Sequence, residues 1–357
     1  MVLAFSLIFV FVVGASVGSF LNVVIARLPL EKSLIWPNSR CGACHQSIPW
    51  YDNLPLLSYL LLRGRCRSCG QEYSIAYFLV ELGSAVGFVT LFLLEVVLNI
   101  HDWPGHPPWA WRFGQFPWLS WLGFWWHALL FSFLLAASVC DLNGREIPLG
   151  LTLTGTLVGL TGSALIPWPL PHDDGVGPFG RLLDGIYPWP FWFPLPAWAG
   201  AGGNWETGLA TGVIGALVGT FLVRSIGFVF NVGRGKEGIG MGDADLMMMV
   251  GAFVGWQIVV VGFFLSTIPG LFIGIIQWVA KNDGSLPYGP SLSISVMATL
   301  LAWAPLGASL RPALFSTALI LASLIVGAFM LLFMSFAMRI LRRPEDDESD
   351  EPEEPLP

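Results

Sequence analysis

Apolar runs recur along almost the whole of this 357-residue chain, and each is about as long as a bilayer core is thick. A helix needs roughly 20 apolar residues to cross that core. Only helices and closed barrels can satisfy their backbone groups there. Charged residues make up 11% of the chain against 55% hydrophobic, and the mean hydropathy is +0.69. Soluble proteins carry about 25% charged residues. The expected fold class is therefore an all-α polytopic membrane protein.

The first run, VLAFSLIFVFVVGASVGSFLNVVIA, follows Met1 with no basic segment before it and no small-residue cleavage site. It reads as a retained helix over residues 1–27 and not as a removed signal. Further spans are expected at about 75–98, 121–140, 149–166 and 208–230. The stretch 245–280 is too long for one span, and Gly255-Trp256 offers a turn, so a division near 258 is expected. Spans at about 291–308 and 313–338 bring the total to nine. The organisation that follows is a loop domain at 28–74, a transmembrane core at 75–308, an extra helix at 309–340 and a tail at 341–357.

Basic residues orient the chain, because short cytoplasmic loops are enriched in Lys and Arg. Arg27, Lys32, Arg40, Arg63, Arg65 and Arg67 fall in or beside the first loop. Arg145 follows the third span, Arg234 and Lys236 the fifth, Lys281 the seventh, and Arg339, Arg342 and Arg343 the ninth. With nine spans and the N-terminus outside, all of these lie in the cytoplasm. The opposite loops, 99–120 and 167–206, are rich in Trp, Pro and Gly and read as interfacial caps without a site. The net charge of −7 comes from the tail: PEDDESDEPEEP holds eight of the 24 acidic residues, leaving 16 against 17 basic ones. Such a tail reads as a solvated, disordered appendage, and no nucleic-acid partner is implied.

Within the first loop, Cys41, Cys44, Cys66 and Cys69 form two C-x-x-C pairs with 21 residues between them. Two such knuckles supply four thiolates around a tetrahedral zinc. Cys41–His45 also fits the C-x-x-C-H haem attachment pattern, but that needs the outer side. A reducing cytosol equally disfavours disulfides. Four thiolates leave no open position, so the zinc is expected to hold the loop folded and not to do chemistry. Cys140, at a helix end, reads as packing.

Two aspartates then stand out, since carboxylates are expensive near lipid and point to function. Asp141 ends the third span in ASVCDLNGREIP, and Asp243 begins the sixth in GIGMGDADLMMM. Both are expected at the cytoplasmic face. Two close carboxylates can share one proton, so that one activates water while the other stays protonated. That pair hydrolyses a peptide bond by general acid–base catalysis. Gly240 and Gly242 are expected to supply backbone conformations closed to other residues, and a thin wall for an extended substrate. Taken singly, Asp141 could pair with Arg145 and Asp243 could be an N-cap. Asp245 reads as a first-turn dipole partner.

These residues resemble a known family. GSFLNVVIARLP at Gly18–Pro29, PWYDNLPLLSYLLLRGRCRSC at Pro49–Cys69, VEL at Val80–Leu82, DLNGREIP at Asp141–Pro148, GMGDADL at Gly240–Leu246 and LPYGPSL at Leu286–Leu292 follow in order. The chain is similar over about residues 14–308 to bacterial type IV prepilin peptidases, membrane aspartyl proteases with a Gly-x-Gly-Asp motif. The resemblance implies an inner-membrane enzyme that cuts the leader from prepilins and pseudopilins after a glycine, usually before a phenylalanine, on the cytoplasmic side. Asp141 and Asp243 would be its catalytic pair. Many members also methylate the new α-amino group with S-adenosylmethionine, and in them the cysteine loop marks the bifunctional form; the four cysteines here imply methylation. The chain departs from the pattern at Asp245, where the family usually has lysine, and at Leu149, where it commonly has Asp or Asn. Loop 167–206, the ninth span and the tail look like additions.

Two readings of other classes compete. A non-catalytic scaffold would use the zinc loop to dock a secretion or pilus-assembly partner. A proton-coupled transporter would need ionisable residues near mid-span, and the aspartates sit at helix ends.

Overall fold

The structure, a computed structural model, describes residues 1–101, 118–165, 205–234, 240–281, 287–303, 305–306, 309–310 and 317–341. Most of both expected interfacial caps, and the acidic tail from residue 342, lie outside the described residues. The described residues form helices and no strand; two isolated β-bridges occur in the cysteine loop.

Ten helices follow in order: α1 Val2–Arg27, α2 Leu57–Leu61, α3 Ile75–Leu91, α4 Trp118–Leu142, α5 Leu149–Leu165, α6 Trp205–Arg234, α7 Met241–Leu265, α8 Thr267–Lys281, α9 Gly289–Leu301 and α10 Thr317–Leu341. Among the described residues, five stretches are long and apolar enough to cross a membrane: Val2–Leu30, Ile75–Val97, Ser120–Leu142, Gly208–Asn231 and Met241–Gln277. Leu149–Leu165, Gly289–Leu301 and Leu321–Met330 are apolar but shorter.

The stretch expected to divide once near 258 is interrupted twice. Gly255 adopts φ 78° and ψ 173°, a conformation that side chains rarely take, so α7 breaks at the expected glycine. The helix resumes to Leu265, and a second interruption falls at Ser266 before α8. A break leaves carbonyls without their helical donor, which is costly in an apolar interior. Trp126 of α4 meets this need: its Nε1–H donates to the Phe253 carbonyl at 3.3 Å while its ring stacks on Phe253, centroids 4.4 Å apart.

Helix α7 is the hub. From Ala244 to Phe263 nearly every side chain is buried, which is why its sequence shows no polar face. Helix α6 lies against it almost without side chains between them. A Cβ added at Gly215 would collide with the Gly251 carbonyl oxygen, and one at Gly251 with that of Gly215. Close approach of small residues is the usual way for helices to associate in lipid, where apolar side chains gain little by leaving it.

One end of the bundle collects three connections. Helix α1 runs into the cysteine loop, the loop returns through α3, and α4 ends at Leu142. Arg145, just beyond α4, donates from its guanidinium to the Ile25 carbonyl near the end of α1 at 3.3 Å. That bond places the Asp141 turn beside the base of the cysteine loop.

Candidate active site and metal centre

Asp141 sits on the last turn of α4. A tight turn follows: Gly144 takes φ +67°, its N–H bonds the Asp141 carbonyl at 2.9 Å, and the Arg145 N–H bonds Cys140 at 3.1 Å. The chain reverses into α5, and on the way Ile147 is buried against the first turn of α7. A Cβ at Gly242 would lie 3.2 Å from that of Ile147. Gly242 therefore admits the α4–α5 connection to the turn that carries Asp243. Asp141 and Asp243 are both partly buried, and they sit on turns that the Ile147–Gly242 approach packs side by side.

Helix α9 completes the site, and sequence reasoning missed its part. The Gly289 N–H, at the first position of α9, donates to Asp141 Oδ2 at 2.7 Å. A helix start offers unpaired N–H groups and the positive end of the dipole, so it receives a carboxylate well. A Cβ at Gly289 would lie 2.9 Å from Asp141 Oδ2 and 3.3 Å from its Cβ, so glycine is what lets the backbone come this near. Beside it the Tyr288 hydroxyl shares a 2.6 Å hydrogen bond with Ser266, the residue at the second α7 interruption, and feels the Asp243 charge. The signal was present as Tyr-Gly-Pro at a helix start, but nothing local says which distant residue that start receives.

Other expectations need correction. Gly240 has φ −67° and ψ 148°, open to any residue, and Gly242 is helical, so neither supplies a conformation that only glycine allows. Gly242 works through close approach; a Cβ at Gly240 would meet only Asp243 Oδ2, at 3.9 Å. The N-cap of α7 is Gly240 and not Asp243, which sits in the first turn. Arg145 is bonded to Ile25 and makes no ion pair with Asp141. Asp245 points away from the pair, because two residues turn a helix by about 200°. It meets Arg224 of α6 at 3.3 Å, so its charge is matched on the far side of α7. Cys140 is fully buried, as packing requires.

The four loop cysteines converge, with one sulfur from each lying within 4.8 Å of all the others. The two knuckles are built alike. In RCGACHQS (40–47) the Cys41 N–H bonds the Gln46 carbonyl at 3.0 Å, and in RCRSCGQE (65–72) the Cys66 N–H bonds Gln71 at 2.8 Å. Each closes with an isolated bridge, Arg40–Ser47 and Arg65–Glu72, and each turns on a left-handed residue, His45 at φ 57° and Gly70 at φ 72°. The N–H of Cys69, then that of Ser68 and the Tyr73 hydroxyl hold the Cys66 thiol down to about 6, the direction a thiolate ligand needs. This donor set fits a four-sulfur metal site. Arg67 joins the second knuckle to the Trp50–Asn53 turn: its Nε and Nη2 donate to Asp52 at 2.8 and 2.6 Å.

Between this loop and the ends of α1 and α3 lies a cavity of about 660 Å³, lined among others by Asn22, Arg27, Asp52, Tyr59, Tyr77 and Glu81. Its floor is braced by Glu81, which accepts the Leu56 N–H at 2.7 Å, and by Asn22, which donates to the Tyr77 carbonyl at 2.9 Å. The volume is that of a small-molecule pocket.

Residues 12–94 match the bacterial peptidase A24 N-terminal domain, and residues 180–275 match the type IV leader peptidase family. A prepilin leader peptidase/N-methyltransferase of Pseudomonas putida is 31% identical over 310 residues, covering 80% of this chain and 86% of that protein. The chain belongs to the type IV leader peptidase family. Proteins of the same name from Pseudomonas aeruginosa and Aeromonas hydrophila are each 31% identical, over 81% and 84% of this chain and 87% and 91% of theirs. No solved structure matches the chain significantly. The two matched regions of this family member divide its features: the first holds the cysteine loop, the second holds Asp243 and the start of α8.

Proposed function

We propose that this protein is a membrane aspartic endopeptidase that removes the leader from type IV prepilins and pseudopilins, then methylates the N-terminus it exposes. What supports the peptidase reading is the packing of the Asp141 turn, through Ile147 and Gly242, against the turn that carries Asp243, 102 positions away, in a chain of this family. One carboxyl keeps the shared proton and the other takes a proton from water, which attacks the carbonyl of the scissile bond after glycine. The protonated partner then gives its proton to the departing amine, so no covalent intermediate forms. The Gly289 N–H and the α9 start hold Asp141 in place for this exchange.

Methyl transfer would use S-adenosylmethionine. The 660 Å³ cavity supports that half of the reading by its volume and by its place between the cysteine loop and the end of α1 that Arg145 ties to the Asp141 turn. Zinc held by Cys41, Cys44, Cys66 and Cys69 would be closed to substrate and would supply rigidity to the cavity wall formed by Gly42, Ala43 and Arg65. In our reading the chain crosses the bacterial inner membrane nine times, with its N-terminus outside and both activities on the cytoplasmic side.

Mass spectrometry of a co-expressed prepilin tests both halves at once, since it reads the cut site and the methyl group together. Cleavage after glycine, with the mass of one added methyl group on the new N-terminus, is expected. Asp141→Asn and Asp243→Asn should each lower cleavage by about a hundredfold or more. An Asp243→Asn variant that still cuts at the wild-type rate defeats the assignment.

A further inference from the structure

Three side chains with metal-binding donors meet at the end of the bundle away from the aspartates. Helix α3 closes in a π-turn over Phe92–Val97, in which the Leu98 N–H reaches back five residues to Leu93 at 2.9 Å. Such widened turns are often found at functional sites. This one carries Glu95. Asn99 then takes φ +51°, and the chain folds back so that His101 returns to Glu95. His127 arrives from α4, 14 residues before Asp141 and so about 21 Å from it along the axis.

The three form a compact set. His127 Nδ1 lies 2.7 Å and His101 Nε2 3.7 Å from the same oxygen, Glu95 Oε1. The imidazole centroids are 5.6 Å apart, and one donor atom from each residue lies within 4.8 Å of the others. Around a zinc bound at about 2.0–2.1 Å, tetrahedral ligand atoms stand about 3.3 Å apart. The observed separations bracket that value.

Burial makes the arrangement demanding. Glu95 is 0%, His127 1% and His101 12% exposed. On the same stretches of chain, Phe124 packs edge to face with both Phe92 and Trp121, and the rings of those two meet at a tilt. Glu95 Oε2 has no hydrogen-bond partner among the described residues. A carboxylate held this way needs a positive charge close by. Two imidazoles and a carboxylate are the protein ligands of His₂Glu zinc sites. Without a thiolate, the set is chemically distinct from the cysteine loop.

We propose that Glu95, His101 and His127 bind a divalent transition ion of the zinc class, a second metal site at the opposite end of the molecule from the paired aspartates. It would pin the end of α3 and the His101 segment to α4. The proposal departs from the reading of loop 99–120 as a cap without a site, since His101 lies at its start.

The test uses the full-length protein, stripped of metal in detergent and titrated with Zn²⁺ and separately with Co²⁺. Wild type should take up about two equivalents, and a Cys41→Ser/Cys66→Ser variant about one. In that cysteine variant, Co²⁺ should give ligand-field bands without the intense sulfur-to-cobalt charge-transfer band. Glu95→Gln, nearly isosteric, and His127→Gln should lose the second equivalent while keeping the charge-transfer band of the cysteine site. That retained band reports that the cysteine loop is still folded. Uptake of a single equivalent by wild type, or unchanged uptake in Glu95→Gln, overturns the proposal and leaves Glu95 and His127 as a metal-free ion pair.

Discussion

A single backbone N–H, that of Gly289, holds the Asp141 carboxylate at 2.7 Å, so the smallest change at that glycine tests how far the site is preorganised. In Gly289→Ala the new methyl would press on Asp141 Oδ2 and move it by a few tenths of an ångström. Cleavage should fall about tenfold at near-normal protein level, because small misplacements of a catalytic group cost rate before they cost stability. Steady-state kinetics on a prepilin peptide would read this as a fall in kcat with KM little changed. Asp245→Asn is the contrasting case. It breaks only the pair with Arg224, an exposed partner, and such pairs contribute about 0–1 kcal/mol. Cleavage by the Asp245 variant should stay within about twofold of wild type. The two aspartates were legible in the sequence because a carboxylate at the edge of an apolar helix has few bland explanations. Gly289 was not, since its partner lies 148 positions away and only the folded bundle joins them.

Among elements, those with a regular pattern could be read from the sequence, and those whose shape depends on a neighbour could not. The expected span at 75–98 coincides with the observed stretch Ile75–Val97, and the one expected at 149–166 falls on the shorter apolar helix Leu149–Leu165. Apolar length alone sets them. Where α7 would break was legible at Gly255 but not at Ser266, because the second interruption is held by Tyr288 from another helix. The cysteine loop was legible in its four cysteines and their spacing; the Arg67–Asp52 tie, which joins its two halves, was not. Loop geometry that gathers four cysteine sulfurs should depend on a metal bound among them. Removing the metal with a chelator, or making Cys66→Ser, should open the cavity wall and abolish methylation, while leader cleavage keeps at least about half its rate. Methyl incorporation measured beside cleavage on the same substrate separates the two effects. Equal loss of both activities would mean that the loop also shapes the peptidase site.

For the molecule as a whole, the question is which end faces the cytoplasm, and basic residues bear on it through a physical bias: loops rich in Lys and Arg are retained on that side. The end that gathers the cysteine loop and the Asp141 turn carries Arg27, Arg40, Arg63, Arg65, Arg67 and Arg145. The far end carries the buried Glu95–His101–His127 set. Helix α3 separates Ile75 from Glu95 by 20 residues, about 30 Å of rise, which is a bilayer core. The two ends therefore cannot share a membrane face if α3 crosses. Arg63 and Arg65 are exposed on the loop surface and offer trypsin a cut at a known place. In intact spheroplasts the loop should survive trypsin; in inverted vesicles it should be cut, separating α1 from the rest. Stripping the metal first should speed that cut, as a loosened loop fits the protease better. Cleavage in spheroplasts instead would put the paired aspartates outside the cell, where they could not meet a substrate whose leader has yet to leave the cytoplasm.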